Sequence, residues 1–171
     1  MKLATTTADF DSYCQSYTEC LERIRDAGFR HVDLSLYTVS DHKSLLVKSD
    51  WHTAVDELLS TADKLGLDFV QAHAPGGNPM KEETVDELVE VTNRTIEVCG
   101  ALGIKNVVVH SGWAAGVGKD EYFERNRAFY CRLFPAMEKC DVNVLTENTT
   151  RANMGENYGF FNGADMKAFI E

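Results

Sequence analysis

Prolines and glycines are few in this chain, 3 and 12 of 171 residues, which excludes a collagen-like repeat and a low-complexity or disordered polypeptide. Cysteine is also limited. Cys14, Cys20, Cys99, Cys131 and Cys140 are odd in number and lack C-x-x-C spacing, so neither a disulfide framework nor a zinc-finger type of site is indicated. Basic residues are outnumbered, 17 against 27 acidic ones, for a net charge of −10. No stripe of Lys and Arg tracks a phosphate backbone, and nucleic acid is a poor partner on this composition. Long apolar runs are missing too. The amino terminus, MKLATTTADFDSY, has no hydrophobic segment after its lysine, and aliphatic stretches such as Val107-Val108-Val109 are far below spanning length. The expectation is a chain with no export signal and no membrane segment, in the reducing cytoplasm.

What is present is the material of a packed core. Hydrophobic residues make up 44% of the chain, and the length suits one domain over residues 1–171. A repeat organises it. Ala27-Gly28-Phe29, Leu65-Gly66-Leu67 and Leu102-Gly103-Ile104 each precede a short β-type run, and the glycines are 66 − 28 = 38 and 103 − 66 = 37 residues apart. Glycine at these points predicts helix ends in the left-handed conformation.

Between the glycines the apolar residues take helical period. Tyr13, Tyr17, Cys20, Leu21 and Ile24 form one stripe, and Trp51, Val55, Leu58, Leu59, Ala62 and Leu65 a second. Val85, Leu88, Val89, Ile96, Cys99 and Leu102 form a third; Phe123, Phe129, Leu133, Phe134 and Met137 a fourth. Five strands are expected near 2–6, 30–35, 68–72, 105–110 and 142–147, with a fifth helix starting near Ala164. This alternation predicts an α/β fold with a parallel sheet.

Two architectures accommodate it. An open doubly wound parallel sheet suits the length, whereas a (β/α)8 barrel at this repeat would need roughly 8 × 37 = 296 residues. The strand faces favour part of a barrel. Val32, Leu34, Val70, Ala72, Val107, Val109, Val142 and Val144 share one parity, while His31, Asp33, Gln71, His73, Asn106, His110, Asn143 and Glu147 occupy the other. A doubly wound sheet is covered by helices on both faces and should be apolar on both.

The polar face holds the chemistry. His73 in VQAHAP, His110 in VVVHSG and Glu147 in VLTEN end their strands at intervals of 37 residues, so three neighbouring strands are expected to present His, His and Glu at one level. Imidazole and carboxylate are ligands for Zn, Mn, Fe and Co ions and also serve as general acids and bases. No G-x-G-x-x-G, G-x-x-x-x-G-K-S/T or G-x-S-x-G motif occurs. The segment Ser111-Gly112-Trp113 through Gly116, Gly118 and Lys119 could be a phosphate cradle, but a flexible loop is the simpler reading, and Gly76-Gly77 reads as a turn.

With GFRHVDL, HAP, HSG and TEN in this order, the chain resembles the xylose isomerase-like (β/α)8 barrels, a family of sugar isomerases, ketose 3-epimerases and the nuclease endonuclease IV. The resemblance implies a partial TIM barrel of about five βα units and a metal-dependent sugar or sugar phosphate isomerase or epimerase of carbohydrate metabolism. Glu147 would be metal ligand and acid/base. His73 and His110 would bind substrate, as in the sugar enzymes, or metal, as in the nuclease; Asp33, Trp113 and Asn148 are candidates for the pocket wall. A divalent ion (Mn, Mg, Co or Zn) is implied as cofactor, weakly bound here because the family's other ligands come from strands six to eight. Partners would be a small-molecule sugar and either a second copy or a complementing C-terminal segment. Two alternatives are an abasic-site nuclease of the endonuclease IV kind and a non-catalytic half-barrel binding module.

Overall fold

A computed structural model describes residues 3–37, 43–47 and 49–171. Five parallel strands, β1 (Ala4–Thr6), β2 (His31–Ser35), β3 (Asp68–His73), β4 (Asn106–Val108) and β5 (Asn143–Leu145), form one sheet in the order β1-β2-β3-β4-β5. Each strand lies beside its sequence neighbours. A doubly wound sheet would reverse its strand order partway, so this order is that of a partial (β/α) barrel. Right-handed crossovers then place the connecting helices on a single side of the sheet.

Those helices are α1 (Tyr17–Asp26), α2 (Lys43–Leu46), α3 (Trp51–Leu65), α4 (Val85–Ala101), α5 (Lys119–Cys131) and α6 (Phe134–Cys140), and α7 (Arg151–Met154) and α8 (Gly163–Ile170) follow β5. The core lies between them and the sheet. Leu21 and Ile24 of α1, Leu58 of α3, Ile96 and Cys99 of α4 and Phe129 of α5 pack with Val32, Leu34, Ala72 and Val107, all essentially inaccessible. Each fully buried aliphatic side chain contributes about 1.5–3 kcal/mol. Burial pushes the Cys99 thiol up to about 12, so it behaves as an apolar residue.

The repeat has a physical basis in the helix ends. Gly28, Gly66 and Gly103 have φ of 92°, 65° and 72°, the left-handed conformation that stops each helix and starts the next strand. A fourth such end occurs at Asp141, φ 54°, which closes α6 and is 141 − 103 = 38 residues beyond Gly103. The repeat continues there without its glycine, and only the backbone reveals it.

Several expectations need correction. Tyr13 is not on the first helix but in a 3-10 turn, Asp11–Tyr13, and is exposed, because the Ser16 hydroxyl accepts from Glu19 N (3.2 Å) and starts α1 at Tyr17. The fourth helix is two, α5 and α6. Pro135 in the first turn of α6 has no N–H and cannot continue α5, and Phe134, assigned to the buried stripe, is half exposed. The short helices α2 and α7 carry no periodicity long enough to read, and α8 starts one residue before Ala164. Expected strand residue Lys2, and residues 38–42 and 48 of the segment after β2, lie outside the described residues. Among the described residues no helix is long and apolar enough to cross a membrane.

Candidate metal and substrate site

The polar residues separate along the strands. At their entry ends, Asn143 Nδ2 donates to Asn106 Oδ1 (3.2 Å), and His31 Nδ1 lies 3.4 Å from Asp68 Oδ2 without forming a hydrogen bond. These pairs are remote from the exit ends, where Asp33, Gln71, His73, His110 and Glu147 gather.

Register determines how they gather. β2 pairs with β3 as Val32↔Phe69 and then Asp33↔Gln71, so β3 holds one extra residue, a bulge that turns Gln71 to face Asp33. Between β3 and β4 the pairing His73↔Val108 has an offset of 108 − 73 = 35, not 37. His110 therefore stands two residues beyond the level of His73. Glu147 stands equally far out, since Val108 pairs with Leu145. The expectation of one level is thus corrected to a stagger, as barrel strands tilt. The two-residue step keeps all three side chains on the same face, and they still converge.

Their ligand atoms all lie within 4.8 Å of one another. Glu147 Oε2 is 3.3 Å from His110 Nε2, and its Oε1 is 3.8 Å from His73 Nε2. The imidazole rings meet edge-on with centroids 6.1 Å apart. On its other side, His73 Nδ1 is 3.0 Å from Asp33 Oδ1, while Gln71 Nε2 donates to Asp33 Oδ2 at 2.6 Å. The Asp33 hydrogen bond raises the His73 imidazole above its ordinary range, against the opposing effect of partial burial, and Glu147 adds to the rise.

This donor set fits a divalent ion. Metal–ligand bonds of about 2.0–2.2 Å place neighbouring ligand atoms about 3.3 Å apart in a tetrahedron, close to the separations between Glu147 and the histidines. Asp33 can only accept, so neutral His73 carries its proton on Nδ1 and turns a lone pair toward the Glu147 oxygen. Two such electron-rich atoms face each other comfortably only across a cation or a proton.

Asp33, which the resemblance makes a candidate for the pocket wall, is nearly buried with both oxygens engaged. With Thr6, Asp11, Ser35, Tyr37 and His73 it lines a cleft of about 370 Å³ beside the cluster. Trp113 is 43% exposed, and its backbone is clamped by one side chain: Asn78 Nδ2 donates to Trp113 O (2.8 Å), and Trp113 N donates to Asn78 Oδ1 (3.1 Å). Gly112 N donates to the buried Asn126 Oδ1 at 2.6 Å, so the Gly-rich segment is packed at this point, not loose. Lys119, the counter-charge of the phosphate-cradle reading, lies 3.9 Å from Asp165 and over the Phe123 ring. Asn148 is exposed and follows Glu147 in the chain.

Tyr37 was not legible beforehand. Its ring lies 5.5 Å from that of His110, over Gly76, where an added Cβ would come 3.0 Å from the ring. The Gly76-Gly77 turn held the signal: the turn is small so that an aromatic ring can cross it.

A strand order without reversal, with polar side chains gathered at the exit ends of β3, β4 and β5, defines a (β/α)-barrel sheet with a candidate site at its C-terminal mouth. The family model described as xylose isomerase-like TIM barrel matches residues 21–171, and the chain belongs to that family. A curated relative from Geobacter sp. (strain M21), called "Probable endonuclease 4", is 32% identical over 121 residues, 64% of this chain and 40% of its own length. Among solved structures, E. coli YcjR, a 3-keto-D-glucoside 4-epimerase, is 18% identical with a TM-score of 0.75, over 99% of this chain and 63% of that one. IolI with a bound zinc atom is 17% identical with a TM-score of 0.66, over 85% of this chain and 51% of that one. The chain thus spans less than two thirds of the length of these relatives.

Proposed function

We propose that the chain carries the strand-three to strand-five part of a metal-dependent sugar isomerase or epimerase site. The observation that supports this most is the convergence of His73, His110 and Glu147 within 4.8 Å at the mouth of a xylose isomerase-like barrel. In this reading Glu147 holds a divalent ion (Mn, Mg, Co or Zn), with the two imidazoles beside it. Such an ion, when bound, polarises adjacent carbonyl and hydroxyl oxygens of a ketose and acidifies the C–H between them. The half-exposed Glu147 carboxylate accepts that proton and delivers it to the neighbouring, former carbonyl carbon to give the isomer, while His73 and His110 orient hydroxyl groups. An epimer needs delivery from the opposite face by a group on the further strands. Trp113 and Asn148 contribute to the substrate wall, Trp113 by stacking on a sugar face. Because the chain covers part of its relatives' length, further strands, from a complementing segment or a second copy, complete the pocket.

The test is solvent deuterium exchange at the carbon next to the carbonyl of free ketohexoses with Mn or Co present, on the chain alone and co-expressed with a segment supplying further strands. Glu147→Gln should lose 10³-fold or more, and His73→Ala or His110→Ala about 10²-fold, from typical general-base and positioning contributions. Near-normal exchange in Glu147→Gln would remove the reading.

A second reading, cleavage of DNA at abasic sites, is favoured by the endonuclease relative and by two histidines close enough to join the carboxylate as ligands. The net charge of −10 opposes it. Metal-dependent nicking of an abasic duplex, with no exchange on ketoses, would select it.

A further inference from the structure

We infer that Asp33 and Gln71 are positioning residues that fix the tautomer of His73, so that its Nε2 lone pair faces Glu147. This rests on the metal-site reading above, with His73 taken as a further ligand through Nε2, and gives Asp33, which lines the cleft, the added role of support. A carboxylate has no hydrogen to give, so the 3.0 Å contact with Asp33 Oδ1 requires the proton of neutral His73 to be on Nδ1. Which nitrogen is left open is thereby decided one residue away from the site.

Gln71 decides which way that support operates. Its Nε2 donates to the other carboxylate oxygen at 2.6 Å, and the β2–β3 bulge puts the two side chains opposite each other. Suppose Asp33 is replaced by Asn. With Gln71 keeping its NH2 toward residue 33, the orientation assigned to it here, the amide turns its oxygen to Gln71 and its NH2 to His73. The NH2 then donates to Nδ1, moves the imidazole proton to Nε2 and covers the lone pair that a metal needs. Replacing Gln71 by Glu as well supplies an acceptor for that NH2. The amide turns back, its oxygen accepts from Nδ1–H, and the original tautomer returns. A purely structural role would produce no such reversal between two isosteric changes.

The experiment is two-bond ¹H–¹⁵N imidazole NMR on the full chain, at a pH where the imidazoles are neutral, with parallel Co(II) titrations. Wild-type His73 should be the Nδ1–H tautomer, D33N the Nε2–H tautomer, and D33N/Q71E Nδ1–H again. Co(II) affinity should fall 10- to 100-fold in D33N and recover in the double variant, the usual effect of a support behind a metal-ligating histidine. An Nε2–H wild type, an unchanged tautomer in D33N, or no reversal in D33N/Q71E would each overturn the assignment. The wild-type spectrum decides even if D33N does not fold. If wild type binds no Co(II), the metal reading fails by itself and the tautomers still test Asp33.

Discussion

His110 stands two residues beyond His73 in the β3–β4 register, yet the two rings meet edge-on at 6.1 Å. Strand tilt produces both facts. In a tilted parallel sheet the exit ends climb from strand to strand, so residues separated by a full repeat reach a common point from different heights. Glu147, matching the height of His110, spans to both imidazoles.

Stability should respond to the protonation of His73. Asp33 and Glu147 raise its folded-state pKa above the unfolded value, so the folded chain binds more protons than the unfolded one in the interval between them. The contribution is fully present below the unfolded value, about 6.5, and is lost as pH rises through the folded one. Metal-free wild type should therefore lose melting temperature relative to His73→Gln as pH is raised across that interval. A difference that is flat or of opposite sign in scanning calorimetry would mean that His73 does not gain a proton's worth of stabilisation from these carboxylates.

Gly112→Ala should destabilise the chain by about 1–3 kcal/mol, the usual range for overpacking. A Cβ there would come 2.5 Å from Asn78 Oδ1 and 2.8 Å from Met80 N, the second a backbone atom that cannot rotate away. Because Asn78 also holds both backbone groups of Trp113, tryptophan fluorescence should change together with the denaturation midpoint. An unchanged midpoint would show that this junction yields freely.

Asp141→Gly should raise the melting midpoint. Asp141 holds the left-handed helix end that glycine fills at the three earlier repeats, and glycine adopts it without steric penalty. The substitution removes an exposed ion pair with Lys105, so the gain should be clearest at high salt, where that pair is screened. A lower midpoint at high salt would contradict the strain at Asp141.

The outer strands predict association. β5 has Leu145 40% exposed, with half-exposed Phe134 and exposed Ile170 beside an apolar groove of about 610 Å³, and Leu3 is exposed next to β1. Unpaired strand edges with apolar neighbours pair with other chains. Sedimentation at micromolar concentration should show self-association that Leu145→Lys reduces; a concentration-independent monomer would mean that the edges are protected.

Much of this was legible in the residues. Alternating parity on β2, with Val32 and Leu34 against Asp33, identified which face carries chemistry, because a buried polar side chain without a partner costs too much to be accidental. Glycines at a regular interval marked the repeat. Register was not legible, since the bulge before Asp33 and the 35-residue offset to β4 depend on pairing between strands and leave no local pattern. Nor was the Asp33–Gln71 contact, which exists only because of that bulge. Pro135 could have divided the fourth helix, but apolar period across residues 129–137 masked it.

The most direct test is Co(II) absorption spectroscopy with calorimetry on the 171-residue chain. One ion should bind per chain, weakly, on the order of millimolar as for an incomplete oxygen and nitrogen site. Binding should weaken on His73→Ala and His110→Ala and be abolished by Glu147→Gln. No binding at millimolar Co(II), or binding unaffected by Glu147→Gln, would mean that the two imidazoles and the carboxylate meet for a reason other than a metal ion.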